Sequence, residues 1–336
     1  MIFVTGGTGL LGSHLLYSLT SKGNKVRAIY RDKSKINQVQ KLFNFYNAPK
    51  TQFQKIEWVE CDVLDIATLD EVMQSVEEVY HCAAMVSFRK RDYSLMLNTN
   101  RGGTANVVNC ALTNGVKRFC HVSSTAAVGK TYDETGVGYV VESNKWEPED
   151  NHSGYAITKY LSENEVWRGI EEGLNAVIIN PSVIIGPGNW NESSLSIFKT
   201  LSNGLQFYTA GANAFVDVRD VVNAMQRLVS MTEAFGQRYL CTGANVSFKQ
   251  LFDEACVHMN RKPPRFIAGK FLSGLAWRIS ALLSLFTGKQ TVTKDSARSA
   301  QAIVRYDSKK LITFLSLEFT NFKETVRHTV ERRMFK

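Results

Sequence analysis

The stretch FVTGGTGLLGSH, residues 3–14, decides the fold class of this chain. Its glycines allow two interpretations, either a spacing of three at Gly6, Gly9 and Gly12, or the pattern Gly7-x-Gly9-x-x-Gly12. Glycine is needed where a backbone turns tightly or must let another group approach closely. An extended apolar run precedes these glycines and an apolar helical pattern follows them. The stretch therefore predicts a strand, a tight turn and a helix.

A strand that passes through such a turn into a helix presents unpaired backbone N–H groups and the positive end of the helix dipole. That combination suits the pyrophosphate of a dinucleotide. Here IFVT is the strand, and the helical pattern runs from Leu10 to Ser21. We therefore expect a dinucleotide to bind at Gly6, Thr8, Gly9, Leu10, Leu11 and Gly12.

Strand and helix patterns alternate over residues 1–182. Extended runs at 2–5, 25–30, 55–61, 76–84, 118–124 and 175–181 are separated by helical patterns at 10–21, from Asp65, at 92–114 and at 153–172. Short β-branched strands between helices are typical of a parallel sheet with helices on both faces. The sequence predicts an α/β fold with a doubly wound parallel sheet, the Rossmann fold.

The alternation stops after Pro181, where glycine and proline cluster in IIGPGNW. A helix at 218–230 and a short strand at 238–243 are expected to return to the sheet, so that residues 215–243 belong with it. The remaining segments, 183–214 and 244–336, are predicted to form a smaller, mostly helical lobe that binds the substrate.

The 336 residues are 44% hydrophobic and 21% charged, as is ordinary for a soluble enzyme. The net charge of +9 is spread along the chain without a recognition-helix pattern, so no nucleic-acid partner is expected. The six cysteines form no CxxC pair or His/Cys cluster, and neither a disulfide nor a metal site is expected. Strand-like residues begin at Ile2 without a basic leader, which predicts a cytoplasmic protein.

The most apolar helical pattern is FLSGLAWRISALLSLFTG, residues 271–288. Arg278 at its centre argues against a helix that spans a membrane. Its apolar residues share one helical stripe, namely Phe271, Leu275, Ile279, Leu282 and Phe286. The pattern favours a helix packed on the lobe and leaves a peripheral membrane contact open.

Several further stretches resemble those of one enzyme family. They are TGGTGLLG at 5–12, CDV at 61–63, HCAA at 81–84, VSSTAAVG at 122–129, YAITK at 155–159, NPSVIIGPG at 180–188 and FVDVRDVV at 215–222. Their order over residues 1–260 resembles the extended short-chain dehydrogenases/reductases, the NAD-dependent epimerase/dehydratase superfamily. The dihydroflavonol-reductase-like and 3β-hydroxysteroid-dehydrogenase-like members are the most similar. The resemblance selects the glycine spacing of three and implies hydride transfer with a nicotinamide cofactor.

A Tyr-x-x-x-Lys pair is central to that family, and this chain contains three such pairs, Tyr46/Lys50, Tyr155/Lys159 and Tyr306/Lys310. The first surrounds Pro49 in an expected loop, and the last lies in the lobe, far from the expected nicotinamide site. The middle pair lies on a long helix after the fifth strand, where residues i and i+4 share one face. We therefore expect Tyr155 and Lys159 to be catalytic.

A phenol with a pKa of about 10 is a weak base at neutral pH. A nearby ammonium and the positive ring of an oxidised nicotinamide would stabilise the phenolate, so we expect a lowered pKa for Tyr155. The resemblance implies that Lys159 also holds the nicotinamide ribose. Among the hydroxyls that end the fifth strand, Ser124 is predicted to be catalytic and Thr125 is the alternative.

The end of the second strand bears on the choice between NAD and NADP. Enzymes that select NAD usually carry an acidic residue there, which binds the ribose 2′-hydroxyl. In AIYRDKSK that position is Tyr30, and Asp32 comes one residue too late. The guanidinium of Arg31 suits a 2′-phosphate through charge-assisted hydrogen bonds. We expect NADP, with NAD as the alternative.

The resemblance also implies further cofactor contacts. These are Asp62 and Val63 at the adenine, Ala83 and Ala84 beside the ribose and pyrophosphate, and Pro181 and Val183. Asn100 either braces the long helix against the fourth strand or contacts the cofactor.

The expected activity is that of an NADP-dependent reductase or dehydrogenase, acting on a carbonyl or alcohol of a small apolar substrate. A sugar-nucleotide epimerase or dehydratase is the alternative, but Asn213 stands where those relatives often carry arginine. A dinucleotide-binding protein without turnover is a third hypothesis, and the intact Ser124, Tyr155 and Lys159 argue against it. A small molecule is the expected partner, and a homodimer stays open.

Overall fold

The computed structural model describes residues 1–129, 139–148, 152–269 and 293–330. In chain order the strands are β1 Ile2–Thr5, β2 Val26–Tyr30, β3 Ile56–Glu60, β4 Glu78–His81, β5 Arg118–Val122, β6 Tyr139–Val140, β7 Ala176–Pro181, β8 Val183–Ile185, β9 Phe207–Tyr208, β10 Ala212–Asp217, β11 Gln237–Cys241, β12 Ala244–Ser247, β13 Phe266–Ile267 and β14 Arg305–Tyr306. The helices are α1 Leu10–Ser21, α2 Ile36–Phe45, α3 Lys50–Phe53, α4 Ile66–Val72, α5 Tyr93–Leu97, α6 Gly103–Thr113, α7 Gly154–Glu171, α8 Ser196–Ser202, α9 Val218–Val229, α10 Phe248–Met259, α11 Lys294–Ser299, α12 Lys309–Leu315 and α13 Phe322–Val330.

Seven strands form the central sheet, in the order β11-β7-β5-β4-β1-β2-β3. All neighbouring pairs in this sheet are parallel. The chain builds β1, β2 and β3 in one direction and then continues on the other side of β1 with β4, β5 and β7. The predicted doubly wound parallel sheet is confirmed. The winding reverses between β1 and β4, and such sheets bind ligands beyond the carboxyl ends of the strands at that point.

Helices cover both faces of the sheet because both faces are apolar. α1 and α9 cover one face with buried side chains such as Leu16 and Met225. α6 and α7 cover the other face with Val108 and Val166. β7, which lies between them, is buried at every residue. Removal of this apolar surface from water stabilises the fold by about 25 cal/mol per Å².

The segment between β2 and β3 forms α2 and α3, where we predicted a loop around Pro49. α2 buries Val39, Leu42 and Phe43, which share one face of the helix. Pro49 immediately precedes α3, where its missing N–H costs no helical hydrogen bond. The proline therefore marks the start of a helix.

The predicted long helix over 92–114 contains an irregular segment. α5 and α6 are joined by π-helical residues Asn98–Gly102, a kind of segment that often lies at functional sites. From it, the side chain of Asn100 accepts the Met85 amide at 2.7 Å and donates to the Met85 carbonyl at 2.9 Å. Its amide also donates to the Thr158 hydroxyl on α7 at 3.0 Å. These bonds favour the bracing role among the two that we expected for Asn100.

The smaller part of the structure contains sheets as well as helices. β10 pairs with β8 in parallel and with β12 antiparallel. α8, α10 and α13 contribute Phe198, Phe252 and Val326 to a buried cluster beside this sheet. Among the described residues of this part the secondary structure is mostly helical, as we predicted, and its strands are as short as β8 and β12, which show little periodicity in the sequence. β11, in contrast, lies beside β7 in the central sheet.

The apolar stretch 271–288 lies outside the residues that the structure describes. Its helix and its contact with a membrane therefore stay predictions. Within the described ranges, no helix is long and apolar enough to cross a bilayer.

Candidate active site

A cleft of about 1240 Å³ lies beyond the carboxyl ends of β1, β4, β5 and β7. One wall comes from the central sheet, and the other comes from β8, α11 and their neighbours. The predicted site residues on its walls are Gly6, Thr8, Gly9, Leu10, Leu11, Gly12, Arg31, Val63, Ala83, Ala84, Ser124, Tyr155, Lys159, Pro181 and Val183. Asp62, predicted at the adenine, is not on these walls.

The turn after β1 accounts for the spacing of its glycines. Gly6 has a φ of +66°, and a Cβ there would lie 2.7 Å from the amide nitrogen of Ala83. A Cβ on Gly12 would overlap the carbonyl oxygen of Gly6, which accepts the amide of Gly9 at 3.0 Å. A Cβ on Gly7 would have only side chains as its nearest neighbours. The backbone therefore needs glycine at Gly6 and Gly12, the two ends of the spacing of three, which leaves a cradle without side chains at the start of α1.

Ser124, Tyr155 and Lys159 converge beyond the end of β5. The Ser124 hydroxyl accepts the Ala126 amide at 3.1 Å and hydrogen-bonds the phenol of Tyr155. Tyr155 lies in the first turn of α7, and Lys159 follows one turn later. The Lys159 ammonium is 2% exposed and donates to the carbonyl oxygen of Val122 at 2.8 Å. The three side chains thus reach one wall of the cleft from two adjacent elements.

Burial is the main influence on the pKa values of Tyr155 and Lys159. It raises the pKa of Tyr155, and the hydrogen bond from Ser124 opposes that rise. Removal of the phenol from water thus outweighs the hydrogen bond from Ser124, and the lower Tyr155 pKa that we expected from Lys159 together with an oxidised nicotinamide stays a prediction. Burial also lowers the pKa of Lys159 to about 8, while the charge of Glu163 acts in the opposite direction. At neutral pH the site holds a protonated phenol beside an ammonium.

The Tyr46/Lys50 pair does not bring a phenol and an ammonium together. Tyr46 follows α2 and stacks on the ring of Tyr17 with 4.6 Å between centroids. Lys50 begins α3, a separate element. Neither side chain lies on the wall of the cleft.

Tyr306 corrects one of our expectations. Its partner in the motif, Lys310, donates to the carbonyl oxygen of Arg238 at 2.9 Å and lies over the ring of Tyr239. Tyr306 itself lines the cleft, so the expectation that it lies far from the site is wrong. The pairing of β14 with β6 brings it there, and no local pattern in the sequence indicates that pairing.

A family model described as NAD-dependent epimerase/dehydratase matches residues 2–241. The chain belongs to this family. The resemblance inferred from the motifs is thereby confirmed.

Curated relatives of this epimerase/dehydratase family member include reductases. A putative dihydroflavonol 4-reductase from Synechocystis sp. is 28% identical over 98% of this chain and 93% of its own length. Sterol demethylase protein B from Methylococcus capsulatus is 31% identical over 79% of this chain and 78% of its own length. Both similarities extend beyond the glycine turn to most of the molecule.

Solved structures share the architecture of this family member. The structure named gox2253 has a TM-score of 0.79 at 25% identity, and the match covers 98% of this chain and 96% of that one. The dTDP-glucose 4,6-dehydratase DesIV from Streptomyces venezuelae, solved with NAD bound, has a TM-score of 0.74 at 18% identity, and the match covers 98% of this chain and 95% of that one. At that identity the likeness to DesIV concerns the fold alone.

The end of the cleft where we expected the adenine of the cofactor carries Arg31. Its side chain is 60% exposed, and its guanidinium lies 3.6 Å from the carboxylate of Asp62. That carboxylate also accepts the amide of Leu64 at 3.0 Å. Asp32 accepts the amide and the hydroxyl of Ser34, so its carboxylate is bound within its own turn.

Sequence reasoning missed a buried carboxylate behind Ser124, Tyr155 and Lys159, the predicted catalytic residues. Glu163 is 1% exposed. Its Oε2 accepts the Ser123 hydroxyl at 2.7 Å and the Asn180 amide at 2.8 Å. Its Oε1 accepts the Arg238 guanidinium at 3.0 Å and the Trp167 indole N–H at 3.3 Å. One signal was present, since Glu163 follows the predicted catalytic lysine by four residues and shares its helix face.

Proposed function

We propose that this protein is a reductase or dehydrogenase that transfers hydride between NADP and the carbonyl or alcohol carbon of a small apolar substrate. The observation that carries the proposal is the convergence of Ser124, Tyr155 and Lys159 on a cleft that also contains the glycine turn. The names of the curated relatives, among them dihydroflavonol 4-reductase and anthocyanidin reductase, support a reductase.

The residues of the cleft fit a nicotinamide dinucleotide. Gly6 and Gly12 form a cradle that any Cβ would fill, next to the N-terminal amides of α1. This suits a pyrophosphate, which needs close approach to backbone N–H groups. The bound cofactor supplies or accepts the hydride. Lys159 would donate to ribose hydroxyls, and the small side chain of Ala83 would leave room beside them.

Tyr155 holds the proton that a carbonyl oxygen needs when hydride reaches its carbon. Because burial raises the pKa of Tyr155, the phenol stays protonated at neutral pH and is ready to donate. The Ser124 hydroxyl and the Lys159 ammonium would stabilise the phenolate that remains. In the oxidative direction Tyr155 would accept the proton again.

NADP is supported by the arrangement of charges at the adenine end. The Arg31 guanidinium lies at the cleft, while the Asp32 carboxylate is bound by Ser34. Lys35 adds a second cation to the same wall. A 2′-phosphate would find donors here, whereas a ribose 2′-hydroxyl would lack the usual carboxylate.

An apolar substrate is supported by the side chains around Tyr155. The ring of Phe88 lies edge-on to that of Tyr155 with 6.1 Å between centroids. Val86 is 46% exposed and Phe88 is 39% exposed, and both face the cleft. Val304 and Tyr306 contribute apolar surface to the same cleft. An apolar ligand would cover these side chains and remove their surface from water.

Oxidation of NADPH in the presence of a panel of aromatic and alicyclic carbonyl compounds tests the proposal. Tyr155→Phe should lower kcat at least about 100-fold, because the transferable proton is lost. The Kd for NADPH should change little, since the aromatic ring remains. Tyr46→Phe is the matched control and should leave kcat unchanged. A Tyr155→Phe enzyme within about tenfold of the wild type would exclude the acid role.

A sugar-nucleotide epimerase or dehydratase is the second candidate, because structures such as DesIV share the fold. Asn213, at the position where such relatives often carry arginine, lines the cleft, and its side chain accepts the amide of Ala214. It therefore offers no cation to a diphosphate. Calorimetric titration with UDP-glucose and dTDP-glucose separates the candidates, since micromolar binding would favour the second.

A further inference from the structure

Glu163 is a buried anion that the proposed reaction does not use directly. Its four hydrogen-bond partners, Ser123, Asn180, Trp167 and Arg238, all donate to it. Two donors on each oxygen satisfy an ionised carboxylate, whereas a protonated one would need an acceptor for its own proton. The surroundings therefore hold Glu163 in its charged form, away from water.

Lys159 lies one helical turn from this charge. Burial alone would favour the neutral amine. Among the groups that face it, the His81 pKa is lowered to about 3 and the Cys82 pKa is raised to about 12, so both are uncharged at neutral pH. The His121 pKa is likewise well below its usual range, and the phenol of Tyr155 is protonated. Glu163 thus supplies a negative charge that raises the Lys159 pKa and so counteracts the effect of burial.

The same carboxylate also fixes the strand end that carries Ser124. The Asn180 amide donates both to Glu163 and, at 3.0 Å, to the carbonyl oxygen of Ser124. The hydroxyl of Ser123, the preceding residue, donates to Glu163 as well. The backbone on both sides of the Ser124 Cα is therefore tied to one carboxylate on α7.

We propose that Glu163 is a positioning residue, which keeps Lys159 in its ammonium form and holds Ser124 in place from behind the cleft. The Arg238 guanidinium, which is 20% exposed, stabilises this anion from the outer side. The part that concerns turnover rests on the proposed function. The part that concerns the charge of Lys159 does not depend on any turnover and can be measured by itself.

The test is NMR titration of the protein labelled with [13Cε]lysine, with the Lys159 resonance assigned by its absence in Lys159→Met. The wild-type Lys159 midpoint is expected near pH 8, and Glu163→Gln should lower it by about one pH unit, because the negative charge that favours the ammonium is removed. Glu165→Gln is the matched control, since that carboxylate lies on α7 but pairs with Arg101 and Arg168. An unchanged Lys159 midpoint in Glu163→Gln would overturn the proposal.

Turnover adds a readout that separates this proposal from the proposed function. For each unit by which the Lys159 midpoint falls, kcat at pH 9 should fall about tenfold, because the charged fraction of Lys159 falls by that factor. The KM for NADPH should change less than kcat. If the wild type shows no hydride transfer, the proposed function fails while the NMR result still decides the role of Glu163. A shifted midpoint with an unchanged kcat profile would overturn the catalytic part of the inference.

Arg238→Met is a second variant, for the case that Glu163→Gln does not fold. It should shift the Lys159 midpoint in the opposite direction. The carboxylate of Glu163 stays, but its cationic partner is removed. The uncompensated negative charge should raise the Lys159 midpoint. A midpoint that falls or stays the same in Arg238→Met would contradict the inference.

Discussion

Arg31 and Lys159 are cations on the walls of the same cleft, but they differ in their access to water. The Arg31 side chain is 60% exposed, whereas Lys159 is buried. An exposed guanidinium is always charged, so it distinguishes one ligand from another through direct contact with them. A buried ammonium keeps its proton only as far as its neighbours allow. The two residues therefore require different experiments.

Arg31→Glu should weaken NADPH binding far more than NADH binding. A charge-assisted hydrogen bond contributes about 1.5–3 kcal/mol, so the lost preference should be roughly tenfold to a hundredfold. Calorimetric titration of both cofactors at one salt concentration measures it. Lys33→Glu is the control, because Lys33 is exposed on the same segment but does not line the cleft. Equal weakening of both cofactors, or a wild type that prefers NADH, would exclude the NADP assignment.

Ser124→Ala should lower kcat about 100-fold and more than Thr125→Ala does, because Ser124 is the hydroxyl that bonds the phenol of Tyr155. The hydrogen bond from Ser124 lowers the Tyr155 pKa, so its removal should move the Tyr155 limb of the pH–kcat profile to higher pH. Steady-state kinetics over a range of pH measures both effects. A larger loss in Thr125→Ala would show that the register at the end of β5 was assigned one residue too early.

At the scale of elements, local sequence rules predicted the structure correctly where a single residue determines the backbone conformation. Gly6 and Gly12 could be predicted because the β1–α1 turn has no room for a Cβ. The loop that we predicted around Pro49 was wrong, because proline is tolerated immediately before a helix as well as in a loop. Tyr306 and Glu163 could not be placed, because their surroundings depend on pairing and packing between segments distant in sequence. The doubly wound parallel sheet and the candidate residues Ser124, Tyr155 and Lys159 could thus be predicted from sequence patterns, but the groups around these three residues could not.

Gly12→Ala should destabilise the β1–α1 turn and abolish dinucleotide binding. The added Cβ would overlap the carbonyl oxygen of Gly6, and such overpacking costs about 1–3 kcal/mol of unfolding free energy. Gly9→Ala is the control for stability within the same turn, because its Cβ would lie at an ordinary 3.4 Å from the Gly6 oxygen. Urea unfolding of both variants and NADPH titration of Gly12→Ala measure the effects. Equal losses of unfolding free energy in the two variants would contradict this account of the turn.

At the scale of the whole molecule, stability should depend on pH through Lys159. Its pKa is about 8 in the folded protein and 10.5 for the usual group. Between these values the unfolded chain binds the proton more tightly than the folded protein does, so the free energy of unfolding rises with pH. Titration of the buried cysteine thiols opposes this rise, but it is shared by a Lys159→Met variant and largely cancels in the comparison.

The measurement is urea unfolding of the wild type and Lys159→Met at several pH values from 8 to 10.5. The unfolding free energy of the wild type minus that of the variant should increase steadily over this window. Below pH 8 the difference should be constant, because Lys159 is protonated in both states of the wild type. A difference that falls with pH would show that Lys159 is not a destabilised ammonium.

The return of β11 to the central sheet limits how this protein can be dissected. The chain leaves the sheet after β7, builds β8 and β10, and comes back through α9 to pair β11 with β7. A fragment that stops at Pro181 would lack both β11 and α9, and it would turn β7 from an inner strand into an open apolar edge. Such edges recruit other chains and aggregate. Any shorter version that keeps the central sheet intact must therefore extend at least through β11, so a cut where the chain first leaves the sheet cannot separate the sheet from the outer part.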